Sequence, residues 1–125
     1  MKVRCVYAIA VAVLLGCASA SSPGAPRNRS VITDEEIASA HVSSAFDAVE
    51  RLRPLWLRSH GEMSINTPGT AYANVYVDGQ RYGDLNTLRN LLAIQIAEIR
   101  YYNGPEGASK FGLQNTAGVI EVKMK

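Results

Sequence analysis

Few residues in this chain have the type and spacing that covalent or acid–base chemistry needs. The densest group is Ser59-His60-Gly61-Glu62. A His and a Glu two residues apart supply two ligands to a metal ion, whereas a working site needs a third or fourth. Ser59 and His60 are neighbours in sequence, which is not the geometry of a Ser–His–Asp triad. The other histidine, His41, falls at the end of an expected helix. The carboxylates are scattered and gather at helix starts and exposed strand faces, where capping accounts for them better than general-acid work. Gly104-Pro105-Glu106-Gly107 lacks the spacing and the Lys-Ser/Thr ending of a phosphate loop. The reading is a non-catalytic protein, with no metal and no cofactor expected.

Two other residue classes carry more. One is the thiol of Cys17. It follows Leu14-Leu15-Gly16, directly after the ten apolar residues Val6 to Leu15, which are preceded by the basic Lys2 and Arg4. Basic start, short apolar core and small residues describe a secretory signal, and ten residues are too few to span a bilayer. Leu-Leu-Gly-Cys resembles a bacterial lipobox, in which the Cys becomes lipidated. Ala18-Ser19-Ala20 fits ordinary signal cleavage and stands as the alternative, giving a soluble periplasmic protein. The lipobox is favoured because Cys17 sits directly after the apolar core. Cys5 leaves with the signal either way, so two cysteines build neither a disulfide scaffold nor a zinc site. Ala18, rather than Asp, after the Cys resembles the Gram-negative sorting pattern for the outer membrane. Residues 18–30, ASASSPGAPRNRS, are small and polar with Pro and Gly, which reads as a flexible tether.

The second class is tyrosine. After the signal, all five tyrosines lie between residues 72 and 102: Tyr72, Tyr76, Tyr82, Tyr101 and Tyr102. A Tyr ring offers a large contact area with a polar tip, which suits a recognition surface. Cross-strand Tyr pairs that only stabilise a half-exposed sheet are the favoured reading, with the recognition surface as the alternative. Under that alternative, Tyr72, Tyr76, Tyr82 and Tyr102, with the loop Asn103-Gly104-Pro105-Glu106, form the candidate interaction surface.

The elements that must position these residues follow from periodicity. Ile32-Thr33-Asp34-Glu35-Glu36-Ile37 is a helix start, with Thr33 as N-cap, Glu36 in the capping-box position and Ile32 and Ile37 as staple. That helix is predicted to run from Asp34 to about His41. A second begins at Ser43-Ser44, carries Phe46, Val49 and Leu52 on one stripe, exposes an Asp47–Arg51 pair, and ends at Pro54. Residues 58–70 read as loop. Ala71 to Asp78 alternates as a strand, with Ala73, Val75 and Val77 on one face and Tyr72, Asn74 and Tyr76 on the other. Asp78-Gly79 signals a hairpin. Asp84 caps a third helix carrying Leu85, Leu88, Leu91 and Leu92, with Leu88 and Leu92 expected on the sheet. Ala97 to Tyr102 and Val119 to Lys123 are strands, with one helical turn at Ala108 to Phe111 between them. The expected class is α+β: a small mixed β-sheet with flanking helices.

In order, these pieces resemble the plug domain of TonB-dependent outer-membrane receptors. The matching residues are Ile32-Thr33-Asp34-Glu35-Glu36-Ile37, Phe46 to Pro54, Val77-Asp78-Gly79, the Leu-rich helix, Ile96-Ala97-Glu98-Ile99 running into Gly104-Pro105, Phe111-Gly112, and the terminal Ala117-Gly118-Val119-Ile120-Glu121-Val122. The resemblance implies a signal over 1–16, a tether over 17–30 and a plug-like domain over 31–125. No receptor barrel follows Lys125 in this sequence and no TonB box is evident in 17–30, so receptor-type transport is not implied. What is implied is a lipid-anchored envelope protein acting as a protein-interaction module. Its expected partners are the membrane, through the lipid, and an outer-membrane barrel or other envelope protein. A periplasmic module for a small ligand or glycan is the alternative. Nucleic acid is not expected: 13 Lys+Arg face 11 Asp+Glu, and removing Lys2 and Arg4 with the signal leaves 11 against 11.

Overall fold

The computed structural model describes residues 28–59 and 71–125. Cys17 and the His60-Gly61-Glu62 group lie outside them. The order is β1 (Val31–Thr33), α1 (Asp34–Ala40), α2 (Ala45–Leu52), β2 (Asn74–Val77), β3 (Gln80–Gly83), β4 (Ile96–Tyr102), α3 (Gly104–Phe111) and β5 (Val119–Met124). Short 3₁₀ turns link them. The strands form one five-stranded mixed sheet in the order β1-β4-β5-β2-β3, in which only β2 and β5 run parallel. This is the small α+β fold with a mixed sheet and flanking helices.

Each helix start is made by the local sequence. Thr33 and Glu36 form a reciprocal capping box on α1, and His41 closes the helix in the left-handed region at φ 51°. Ser44 caps α2 through the Asp47 amide. Arg51 turns from the expected pairing with Asp47 to donate to the Ala40 carbonyl, which ties α2 back to α1. Pro54 opens a 3₁₀ turn that buries Trp56. Asp78 and Gly79, both at positive φ, make the two-residue hairpin between β2 and β3.

One face of the sheet carries the core. Val75, Ile99, Ile120 and Val122 are fully buried there against Ile32, Ile37, Val49 and Leu88, with Val77 partly covered. The predicted third helix is a 3₁₀ helix, Leu85–Asn90. Its repeat of three residues aligns Leu85, Leu88 and Leu91 on the core, whereas Leu92 is 51% exposed. The expected packing of Leu92 is therefore corrected in favour of Leu91. A second difference is β1, a strand too short to announce itself by alternation. Ile32 pairs with Ile99 across it and is fully buried.

The other face is covered at one end by α3. Here β5 breaks the half-exposed pattern: Val119, Ile120, Glu121 and Val122 are all buried. The segment Asn103-Gly104-Pro105-Glu106 is correspondingly not a loop. Asn103 caps α3, Glu106 completes a capping box with the Asn103 amide, and Pro sits in the first turn. Gly104 permits this, because a Cβ there would lie 2.1 Å from the Thr116 carbonyl oxygen.

Candidate functional site

Strand β4 puts Ile99 and Tyr101 on the core side and Glu98, Arg100 and Tyr102 on the other. Helix α3 lies beside that second face. Between α3, the end of β4 and the chain entering β1 runs an open groove of about 590 Å³. Arg100, Tyr101, Tyr102, Pro105, Glu106, Ser109 and Lys110 line it, with Asn28, Ser30 and Val31 of the entering chain.

Two of its lining residues, Tyr102 and Lys110, belong to an ion pair built around one hydroxyl. Glu121, almost buried, accepts from the Tyr102 hydroxyl at 2.9 Å and from Lys110 Nζ at 3.2 Å through the same Oε2. Lys110 Nζ also donates to Tyr102 Oη at 2.6 Å and lies 4.4 Å from the centroid of that ring. The Tyr102 hydrogen bond, then Glu121, hold the Lys110 ammonium above its ordinary pKa. Arg100 donates through Nε to Glu98 at 3.0 Å, and that bond raises its pKa in turn. Lys123 joins the same Glu98 at 3.6 Å. Tyr101, stacked on Trp56 at 5.5 Å, has its pKa raised by burial and by the nearby Glu106 charge.

The structure separates the expected surface residues. Tyr102, Pro105 and Glu106 line the groove, with Asn103 and Gly104 beside it as the cap and first residue of α3. Tyr76 is a correction: it is 5% exposed, lies under Phe111 at 4.3 Å, and bonds to Asn115. It is not a surface residue, because α3 and the turn after it cover that face of β2. Tyr72 is exposed in a different hollow with Phe46, Leu57 and Leu85. Tyr82 stands on the β3 edge. The tyrosines thus share a stretch of sequence and not a surface.

Arg100, Ser109 and Lys110 were not singled out by sequence. Alternation along β4 gives the side that Arg100 takes. Asn103-Gly-Pro-Glu106 is itself a capping-box pattern, and reading it as a helix start places Ser109 and Lys110 beside Tyr102. Among the described residues, no group of three or more His, Cys, Asp or Glu is placed to hold a metal ion, and no helix is long and apolar enough to cross a membrane.

No family model, curated protein or solved structure matches this chain.

Proposed function

We propose that this chain is a non-catalytic, lipid-anchored protein of the bacterial outer membrane, whose plug-like domain binds another envelope protein through the groove beside α3. The observation that carries the reading is the groove itself. Two cationic side chains, an aromatic ring, a hydroxyl and a carboxylate converge there from β4 and α3. Function tends to sit where a fixed scaffold presents polar groups in a concavity. The lipobox-like Leu14-Leu15-Gly16-Cys17 supports the anchor, and the ordered series from Ile32 to Val122 supports the plug-like reading.

The test is site-specific photocrosslinking in intact envelopes. A crosslinker in place of Ser109, on the groove, is expected to capture a discrete membrane-protein partner. The same crosslinker in place of Glu35, on α1 over the opposite face, is expected not to. Equal capture from both sites, or none from Ser109, removes the reading. The groove volume also lies within the ~300–1,000 Å³ of small-ligand sites. Under that second reading, a soluble glycan or nutrient raises the melting temperature of the purified protein.

A further inference from the structure

The two edges of the sheet narrow how a partner is recognised. On β1 the outward backbone groups are already used. The Val31 amide donates to the Asn28 carbonyl, the Val31 carbonyl accepts from Arg53, and the Thr33 amide donates to Glu36. On β3 the edge is four residues long, carries Arg81, and is interrupted where Tyr82 bulges between the pairs Tyr76–Arg81 and Val75–Gly83. Short, charged and bulged edges resist strand addition. A partner at the groove, which opens next to β1, is therefore read by side chains and not by main-chain pairing.

Those side chains have an order. Arg100 and Lys110 flank Tyr102, and their side chains remain 40% and 47% exposed while each bonds a carboxylate on its inner side. Of the negative groups nearby, Glu106 lines the groove, while Glu98 and Glu121 pair with its two cations from the same face of the sheet. Glu98 is shared between Arg100 and Lys123, and Glu121 is sealed under Lys110. Glu106 stands in the first turn of α3, exposed, with Oε2 on the Asn103 amide. The groove thus presents one cation from β4, Arg100, a second from the last turn of α3, Lys110, and an anion in the first turn of α3, Glu106.

We propose that the groove seats an acidic side chain, an Asp or Glu within an extended segment of the partner protein, between Arg100 and Lys110 next to Tyr102. Charge-assisted bonds from the two cations hold the carboxylate. Glu106 repels a second acid next to it, so the segment carries a neutral or basic neighbour there. This rests on the binding-module reading and names the chemistry of its partner.

The test uses the full chain purified from envelopes and three blocked five-residue peptides with a central glutamate, glutamine or lysine among alanines. Binding is followed on the amide NMR signals of Arg100, Tyr102 and Ser109. The glutamate peptide is expected to shift these signals saturably, at about tenfold lower Kd than the glutamine peptide, and the lysine peptide to bind weakest. Raising the salt should erode that difference. Arg100→Gln leaves Glu98 with Lys123, and Ser109→Glu adds a like charge without touching the internal ion pair. Each should weaken the glutamate peptide by roughly fivefold or more at unchanged melting temperature. Glu106→Gln keeps the capping box and should strengthen it by about two- to fivefold. Equal shifts from the glutamate and glutamine peptides, or no saturable shift, overturn the acidic preference. If the Ser109 crosslink still captures its partner in that case, the binding module stands without it. If that crosslink is also absent, both fail.

Discussion

Lys110 is where the chemistry of the groove and the stability of the fold meet. Its ammonium is held above its ordinary pKa by Tyr102 and then Glu121. A basic group whose folded pKa is raised contributes stability that is complete below its unfolded value and is lost as pH rises through the folded one. The window therefore opens at about the ordinary lysine value of 10.5 and extends above it. Tyr101 acts in the same direction, since burial and then Glu106 raise its pKa, and its ionisation is resisted only in the folded state. Denaturant titrations at increasing alkaline pH should show stability falling through this window, and Lys110→Met should flatten the fall. A slope unchanged in the variant would mean that the Lys110–Tyr102–Glu121 contacts do not persist in solution. At neutral pH the same variant leaves Glu121 buried with the Tyr102 hydroxyl still donating to it but without the Lys110 charge, so it should also unfold more easily.

The sequence and the folded elements agree where the chemistry is local. Thr33, Glu36, Ser44, Pro54 and Asp78-Gly79 act through neighbours one to four residues away, and each does what its type dictates. They diverge where the decision is tertiary. Alternation along β2 placed Tyr76 opposite the valines correctly, but nothing in that alternation shows that α3 returns to cover it. The leucines of 85–92 fit a 3.6-residue repeat on paper, and the chain after the 3₁₀ helix is instead held by an antiparallel bridge of Leu92 with Ser44 at the start of α2, in which the Ala45 amide donates to the Leu91 carbonyl and the Ala93 amide to the Ser43 carbonyl. A paired truncation checks this. Leu88→Ala should cost about 2–5 kcal/mol as a buried leucine, whereas Leu92→Ala should stay within about 0.5 kcal/mol. Comparable losses at both positions would restore the α-helical register. At α3, Gly104→Ala drives a methyl into the Thr116 carbonyl and should cost about 1–3 kcal/mol or more by overpacking. A melting temperature unchanged in that variant would remove the close approach that fixes the helix beside the groove.

At the scale of the whole molecule, the sheet has two unlike ends. Asn28, the β4–α3 junction and the start of β5 share one end with the groove; Asp34, the β2–β3 hairpin and Lys125 share the other. The chain enters at the groove end. Ten residues separate Cys17 from Asn28, and at full extension eleven steps reach about 36–40 Å. Under the proposed lipidation, an anchor at Cys17 would keep the groove within that reach of the membrane surface, where a partner embedded in the same membrane would meet it at high effective concentration. The expected outcome is that Cys17→Ala shifts the protein from the membrane to the soluble fraction and sharply reduces the Ser109 crosslink, while the purified domain keeps its melting temperature. Mass spectrometry of the wild-type N-terminus should find an acylated Cys17. A mature chain beginning at Ser21 without acyl mass would instead establish cleavage after Ala20. The groove would then meet its partner by free diffusion, and the Ser109 crosslink would be indifferent to Cys17→Ala.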